Sequence, residues 1–328
     1  MCSTRPLGGS SSPGREGRRL RTAMRTTARV LAVAALAVAV SGCVGQGSSE
    51  VEGAVVAMSL PWPAEGQSSV EVEGLGSLGR QGEREPVPIA SVTKVMTAYV
   101  ILKNHPLRGT QSGPVIKVDE AAAEESLSLE ESSAPVREGL ELTERQLLEL
   151  MLIPSGNNIA RLLARWDAGS QEAFVAKMNR AAVSLGMTHT TYTGASGIEP
   201  TTTSTAVDQL KLARQVMKDQ VFRSIVAKPS ITVPGVPGTI INTNTLLGTS
   251  GVIGLKTGSS TPAGGALMWA AETEAGGRTR LILGVVLHQR ANTTPAEGLQ
   301  AALDNSRKLV VAIQQALPQS LSAEHNTE

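Results

Sequence analysis

The segment PIASVTKVMTAYVIL (Pro88–Leu102) places a lysine, Lys94, inside an apolar helical pattern, three residues after Ser91. Val95, Ala98, Tyr99 and Leu102 recur at helical spacing, which predicts a helix over Ser91–Lys103. A lysine in that pattern is either a solvated helix residue or a group required on the face that carries Ser91, since residues three apart share a face. What the remainder of the chain supplies separates the two.

With 41% hydrophobic and only 2% aromatic residues, the core must be built from Leu, Val, Ile, Met and Ala. The 328 residues accommodate one large domain or two small ones. Residues 1–42 hold seven Arg and one acid, Glu16, whereas the whole chain carries +1. The remainder is therefore acidic, about −5, which argues against a nucleic-acid partner.

The basic start runs into VLAVAALAVAV (Val30–Val40) and then SGC. An Arg-rich region, a short apolar run and small residues read as a secretory signal, and the run is too short to span a bilayer. VSGC resembles the lipobox of bacterial lipoproteins, with Cys43 the acylated residue. The chain contains only Cys2 and Cys43, and cleavage would leave Cys43 unpaired in an exported protein, which lipidation accounts for. A plain signal peptide with an incidental cysteine is the alternative. Met24 is an alternative start, and the Arg18-Arg19 pair stands too far from the apolar run to argue strongly for twin-arginine export. These readings divide the chain into a signal over 1–42, a lipidated Cys43 with a tether over 43–53, a folded domain over 54–318 and a frayed tail over 319–328.

Strand-like runs, Ala54–Leu60 and Ser68–Gly76, precede the helix of Lys94. The middle is helical. Thr143 to Gln146 has the capping-box pattern, Pro154 stops that helix, and NNIARLLARW (Asn157–Trp166) restarts one. Ser170 opens a helix with Phe174, Met178 and Ala181 or Ala182 on one face, ending near Gly186. Ser204 is expected to cap another. After residue 230 the pattern turns to strands: SITVPG, TIINTNTLL, GVIGLKTG, GGALMWAAE and TRLILGVVLH, with a hairpin turn at Glu274–Arg278. A last helix is expected over Pro295–Leu317. Strands, helices, strands and a helix in that order imply an α+β fold, an antiparallel sheet whose first and last strands meet around an inserted helical lobe.

Three short motifs each occur once: S-x-x-K at Ser91–Lys94, S-x-N at Ser155–Asn157 and K-T-G at Lys256–Gly258. One S-x-x-K is expected about once by chance in a chain of this composition, so order and context carry the signal. Ser91 begins a helix, Ser155 sits at a proline-marked helix break, and Lys256 ends an apolar strand. A serine hydroxyl is a poor nucleophile until a base takes its proton. A lysine can be that base when burial and nearby positive charge lower its pKa, and Lys256 could supply the charge.

The motif set resembles that of the penicillin-recognising serine enzymes. PIASVTKVMTAYVIL, LLELMLIPSGNNIARLLA, MNRAAVSLGM, STAVDQLKLA and GLKTG, in this order, are most similar to the serine D-alanyl-D-alanine carboxypeptidases, the low-molecular-mass penicillin-binding proteins. The resemblance spans about Ala54 to Leu317. It implies a five-stranded antiparallel sheet flanked by helices, and a hydrolase that removes the terminal D-alanine from peptidoglycan stem pentapeptides. It implies Ser91 as nucleophile, Lys94 as general base, Ser155 as proton relay and Asn157 as holder of Lys94 and the substrate amide. Lys256 and Thr257 would bind the substrate carboxylate, Gly258 would admit the substrate backbone, and the N–H groups of Ser91 and Ser259 would form the oxyanion hole. It implies β-lactams as inhibitors, no metal or organic cofactor, a monomer, and a site outside the cytoplasmic membrane; the anchor expected at Cys43 comes from the lipobox and not from this family, whose common anchor is C-terminal. The stretch after Gly258 leaves room for two strands and a helix but not for the β-rich C-terminal domain that many relatives carry.

Other readings are set beside this one. His105, His189, His288 and His325 lack metal-ligand spacing, which argues against zinc. Asp208 reads as structural. Glu199, in SGIEPTTTSTA, lies where β-lactamases place a deacylating glutamate, so a β-lactamase on the same fold is one competitor. Gly156 stands where class A β-lactamases usually have Asp, and a loop carboxylate is the plainer reading of Glu199. A non-catalytic wall-binding lipoprotein is the other competitor, but such a module has no need of Lys94.

Overall fold

The computed structural model describes residues 58–325; Cys43, the expected signal and the tether lie outside them. The central sheet has strands β1 (Gln67–Val72), β2 (Gly76–Gln81), β3 (Val252–Ser260), β4 (Gly264–Ala275) and β5 (Arg278–Gln289). Their order is β2-β1-β5-β4-β3, antiparallel throughout, so the first strand meets the last as expected. The register sets Gln67 opposite Leu287 and Gly258 opposite Ala266. The Gly276-Gly277 turn, both residues at positive φ, closes the β4–β5 hairpin.

Eight helices are described: α1 (Lys94–Asn104), α2 (Glu120–Glu125), α3 (Glu144–Leu152), α4 (Asn157–Ala168), α5 (Gln171–Ser184), α6 (Ala206–Val216), α7 (Gln220–Val226) and α8 (Pro295–His325). One core joins α1 and the α2–α7 lobe to one face of the sheet. A second core packs α8 on the other face through Leu309, Ile313 and Leu317. Both are built mainly of Leu, Val, Ile, Met and Ala, with Tyr192, Phe174, Phe222 and Trp269 as the large exceptions. Helix α1 is buried nearly all round, from Lys94 through Leu102 with Tyr99 half-buried. A helix without a wet face belongs inside a domain, which removes the solvated reading of Lys94.

Local chemistry explains the element ends. Thr143 and Gln146 form the expected capping box at α3. Gly169, in the left-handed region, ends α4, and Ser170 caps α5. The cap of α6 is Thr205 and not Ser204: Thr205 Oγ1 accepts from the Asp208 N–H at 3.2 Å. Ser204 pairs with Val87 in a short ribbon and bonds Gln209 through its hydroxyl. Asp208 is structural as expected, accepting from His189 N–H and Thr190 and pairing with Lys211.

Several expected elements differ, among them SITVPG, of which only Ser230–Ile231 is strand. Met58–Leu60 is irregular, ahead of Pro61 and Pro63, and the rest of the expected Ala54–Leu60 strand lies outside the described residues. TIINTNTLL keeps only a two-residue strand, Ile240–Ile241. Asn242 and Asn244 accept from backbone N–H groups two residues on, at 2.9 and 3.1 Å, and such Asx turns compete with a ladder. The last helix continues past Leu317 to His325, with Leu317 and Leu321, one turn apart, both seated in the α8 core. The tail expected to fray from residue 319 is therefore helical to His325. Among the described residues, no helix is long and apolar enough to cross a membrane.

Candidate active site

Ser91 lies in a 3-10 turn, Ala90–Thr93, and α1 begins at Lys94. A 3-10 turn stacks residues i and i+3 directly over one another, which aligns Ser91 with Lys94 more closely than an α-helix would. The Lys94 ammonium donates to Ser91 Oγ at 2.7 Å, to Asn157 Oδ1 at 2.5 Å and to the Ser196 carbonyl at 2.8 Å. It has no solvent exposure. Burial holds its pKa well below the ordinary lysine value, helped by the positive charges of Lys256 and Arg161 and opposed by Glu131 and Glu199.

The second motif arrives at a break between helices. Ser155 adopts φ +70° between α3 and α4, a conformation disfavoured for residues with a side chain. Its hydroxyl is buried and bonds no group among the described residues. Asn157 opens α4 and reaches Lys94 from the lobe side.

The third motif lies on β3, which forms one edge of the sheet. Lys256 is fully buried, donates to the Thr257 carbonyl at 3.0 Å, and is pushed by burial down to about 7. Thr257 and Thr243 hydroxyls share a hydrogen bond of 2.6 Å. A Cβ on Gly258 would stand 3.0 Å from the Ile89 carbonyl and from the N–H nitrogens of Ser91 and Val92. Gly258 thus admits the turn of Ser91 itself, a closer constraint than the expected room for substrate. Gly197 acts likewise from the other side: at φ +82° it lies against Ala90, where a Cβ would overlap the Ala90 carbonyl.

A buried lysine whose pKa is lowered, bonded to a serine hydroxyl beside a second buried cation, is suited to nucleophilic attack by serine on a carbonyl and to binding an anionic substrate group. Comparison with known proteins agrees. Residues 77–290 match the D-alanyl-D-alanine carboxypeptidase family, peptidase S11. The chain belongs to this family. It is 35% identical over 213 residues to the D-alanyl-D-alanine carboxypeptidase of Streptomyces sp. strain K15, covering 60% of this chain and 71% of that one. It is also 35% identical over 205 residues to the D-alanyl-D-alanine carboxypeptidase DacB2 of Mycobacterium tuberculosis, covering 61% and 66%. Among solved structures it resembles the Streptomyces K15 DD-transpeptidase, with TM-score 0.68 and 28% identity over 79% of this chain and all of that one. Penicillin-binding protein 6B of Escherichia coli gives TM-score 0.65 and 29% identity, covering 79% and 82%.

In this carboxypeptidase-family enzyme, the three motifs converge, and several partners join them that sequence reasoning missed. Arg161 lies one turn beyond Asn157 on α4, a spacing that could have flagged it. Its guanidinium pairs with Glu125 at 2.9 Å and Glu131 at 2.7 Å. Glu131, on the loop after α2, accepts from Asn157 Nδ2 at 2.9 Å. Burial would raise its pKa, but bonds from Arg161 and Asn157 hold the carboxyl below the usual range. The Ser196 carbonyl had no side-chain signature to find. Glu199, the residue a β-lactamase reading needs, seats its carboxylate against Gly194, with Oε2 buried and without a hydrogen-bond partner among the described residues. No hydrogen bond joins it to Ser91 or Ser155 among the described contacts, and nothing favours that competitor or the wall-binding one.

Proposed function

We propose that the enzyme cleaves the terminal D-alanine from stem pentapeptides through an acyl-enzyme on Ser91. The observation that carries this reading is the buried Lys94 amine at 2.7 Å from Ser91 Oγ. Neutral Lys94 takes the hydroxyl proton as Oγ attacks the carbonyl of the penultimate D-alanine. The Ser91 and Ser259 N–H groups hold the developing oxyanion, an interaction typically worth about 3–4 kcal/mol for one donor. As the C–N bond breaks, the proton passes through Ser155 to the leaving nitrogen. Water then adds to the Ser91 ester, releasing the shortened stem peptide and restoring the hydroxyl.

Lys256 and Thr257 hold the terminal carboxylate, and an extended peptide adds along the free edge of β3. A β-lactam is attacked at its ring carbonyl in the same way, but its amine stays tethered after the ring opens. Residues 1–42 serve as the secretory signal, Cys43 carries the lipid anchor and 43–53 the tether, and the catalytic domain starts near residue 54. The family acts on the cell wall outside the cytoplasm, which this export route matches.

The purified chain is expected to release D-alanine from diacetyl-L-Lys-D-Ala-D-Ala, and to stop after incubation with benzylpenicillin. A folded enzyme that releases none would contradict the reading.

A further inference from the structure

We propose that Glu131 is a positioning residue that locks the Asn157 amide so that Lys94 aims its lone pair at Ser91. The inference rests on the Ser91–Lys94 chemistry proposed above. Asn157 Oδ1 faces Lys94 at 2.5 Å and its Nδ2 faces Glu131 Oε2 at 2.9 Å. Reversing the amide would set an N–H group against the lysine amine and a carbonyl oxygen against a carboxylate. One orientation therefore satisfies both ends.

This orientation matters because a neutral lysine amine has two N–H donors and one lone pair. Asn157 Oδ1 and the Ser196 carbonyl, at 2.5 and 2.8 Å, accept the two N–H groups. The lone pair is left facing the third neighbour, Ser91 Oγ, at 2.7 Å. A reversed Asn157 would offer its own N–H to that lone pair and compete with the Ser91 proton. Without an acceptor at Nδ2, nothing in this cluster prevents the reversal.

Glu131 is itself fixed. Its Oε2 also accepts from Arg161 Nη2 at 2.7 Å, and Arg161 is held from the other side by Glu125. The loop is tied to the start of α4 by three more bonds, one of them from Asn158 Nδ2 to the Ala134 carbonyl at 2.9 Å. Asn157 N–H donates to the Ser132 carbonyl at 2.8 Å, and Ala134 N–H donates to Asn158 Oδ1 at 3.0 Å. The charged groups acting on Lys94 are Lys256 from β3, Arg161 from α4, Glu131 from this loop and Glu199 from the Gly194–Pro200 segment. Glu131 favours the protonated amine and Arg161 opposes it, so removing the Glu131 charge alone lowers the pKa of Lys94.

The test follows the acylation rate of Ser91 by a labelled penicillin against pH in the wild type, Glu131→Gln and Glu131→Ala. Glu131→Ala is expected to slow acylation by about 10²-fold, the scale of a displaced catalytic group. Glu131→Gln retains an acceptor and is expected to stay within about tenfold of wild type, with its acid limb moved to lower pH. A merely structural role would not move that limb. Wild-type rates and an unmoved acid limb in the variants would overturn the inference. Should Glu131→Ala not fold, Glu131→Leu, which fills the same space without an acceptor, is measured in its place: slowing by about 10²-fold supports the proposal and a wild-type rate overturns it. A wild type that is not acylated at Ser91 would instead overturn the reading on which the inference rests.

Discussion

Lys94→Ala is expected to lower kcat/KM for D-alanine release and the rate of penicillin acylation together, by roughly 10²–10⁴-fold, the usual worth of a positioned general base. Loss of the base removes an interaction made in the transition state, so kcat falls and substrate binding through Lys256 persists. The pH profile carries the sign. Rate rises with pH as Lys94 loses its proton, and its burial beside Lys256 and Arg161 places that limb well below an ordinary lysine. Lys94→Met, which fills the same space, is expected to be as inactive as Lys94→Ala and to melt no lower than wild type, since burying the amine opposes folding. An active Lys94→Met enzyme would leave Ser91 without its proposed base.

Lys256→Met is expected to change activity and stability in opposite directions. Removing the cation from a buried carboxylate pair typically costs about 2–5 kcal/mol, so kcat/KM for a peptide ending in free D-alanine falls by roughly 30-fold to 5,000-fold. The same peptide with an amidated terminus has no carboxylate to lose and is expected to respond far less. Stability goes the other way. In the unfolded chain the lysine keeps its proton up to about pH 10, but in the folded enzyme burial brings it down to about 7. Between those values the unfolded state binds more protons, so wild-type stability rises with pH from about 7 to about 10. Below that window the lysine destabilises the fold by roughly 4 kcal/mol. Lys256→Met is expected to lose the Lys256 share of this slope, leaving that of buried Lys94, and to melt higher than wild type at neutral pH, as calorimetry across the window would show. The folded pKa also sets an alkaline limb near 7 on kcat/KM of the free wild-type enzyme, because Lys256 must be protonated to hold the carboxylate.

Legibility in the sequence followed where side chains repeat and where they do not. An antiparallel sheet could be read because β-branched runs and the Gly276-Gly277 turn announce themselves, and because the order of elements brings the first and last strands together, whereas its count of five strands came from the family resemblance. The cluster of Ser91, Lys94 and Asn157 with Lys256 beside it could be read because short motifs stand at a helix start, a helix break and a strand end. The support of that cluster was largely hidden. Glu131 comes from an irregular loop with no period, and its role depends on which amide atom of Asn157 faces it. The Ser196 carbonyl is backbone, so no residue type marks it. Thr243 reaches Thr257 only because two asparagines turn the chain where a longer strand was expected. Gly258 could be recognised as a glycine that must stay small, but only the packing reveals that the Ser91 turn is what it makes room for.

The most direct test of the central claim, an acyl-enzyme on Ser91, is the mass of the purified protein after incubation with benzylpenicillin. A gain of one whole penicillin molecule is expected, since ring opening expels no leaving group, with the added mass on the peptide containing Ser91 and no gain in Ser91→Ala. An unmodified wild type, or an adduct that persists in Ser91→Ala, would contradict it.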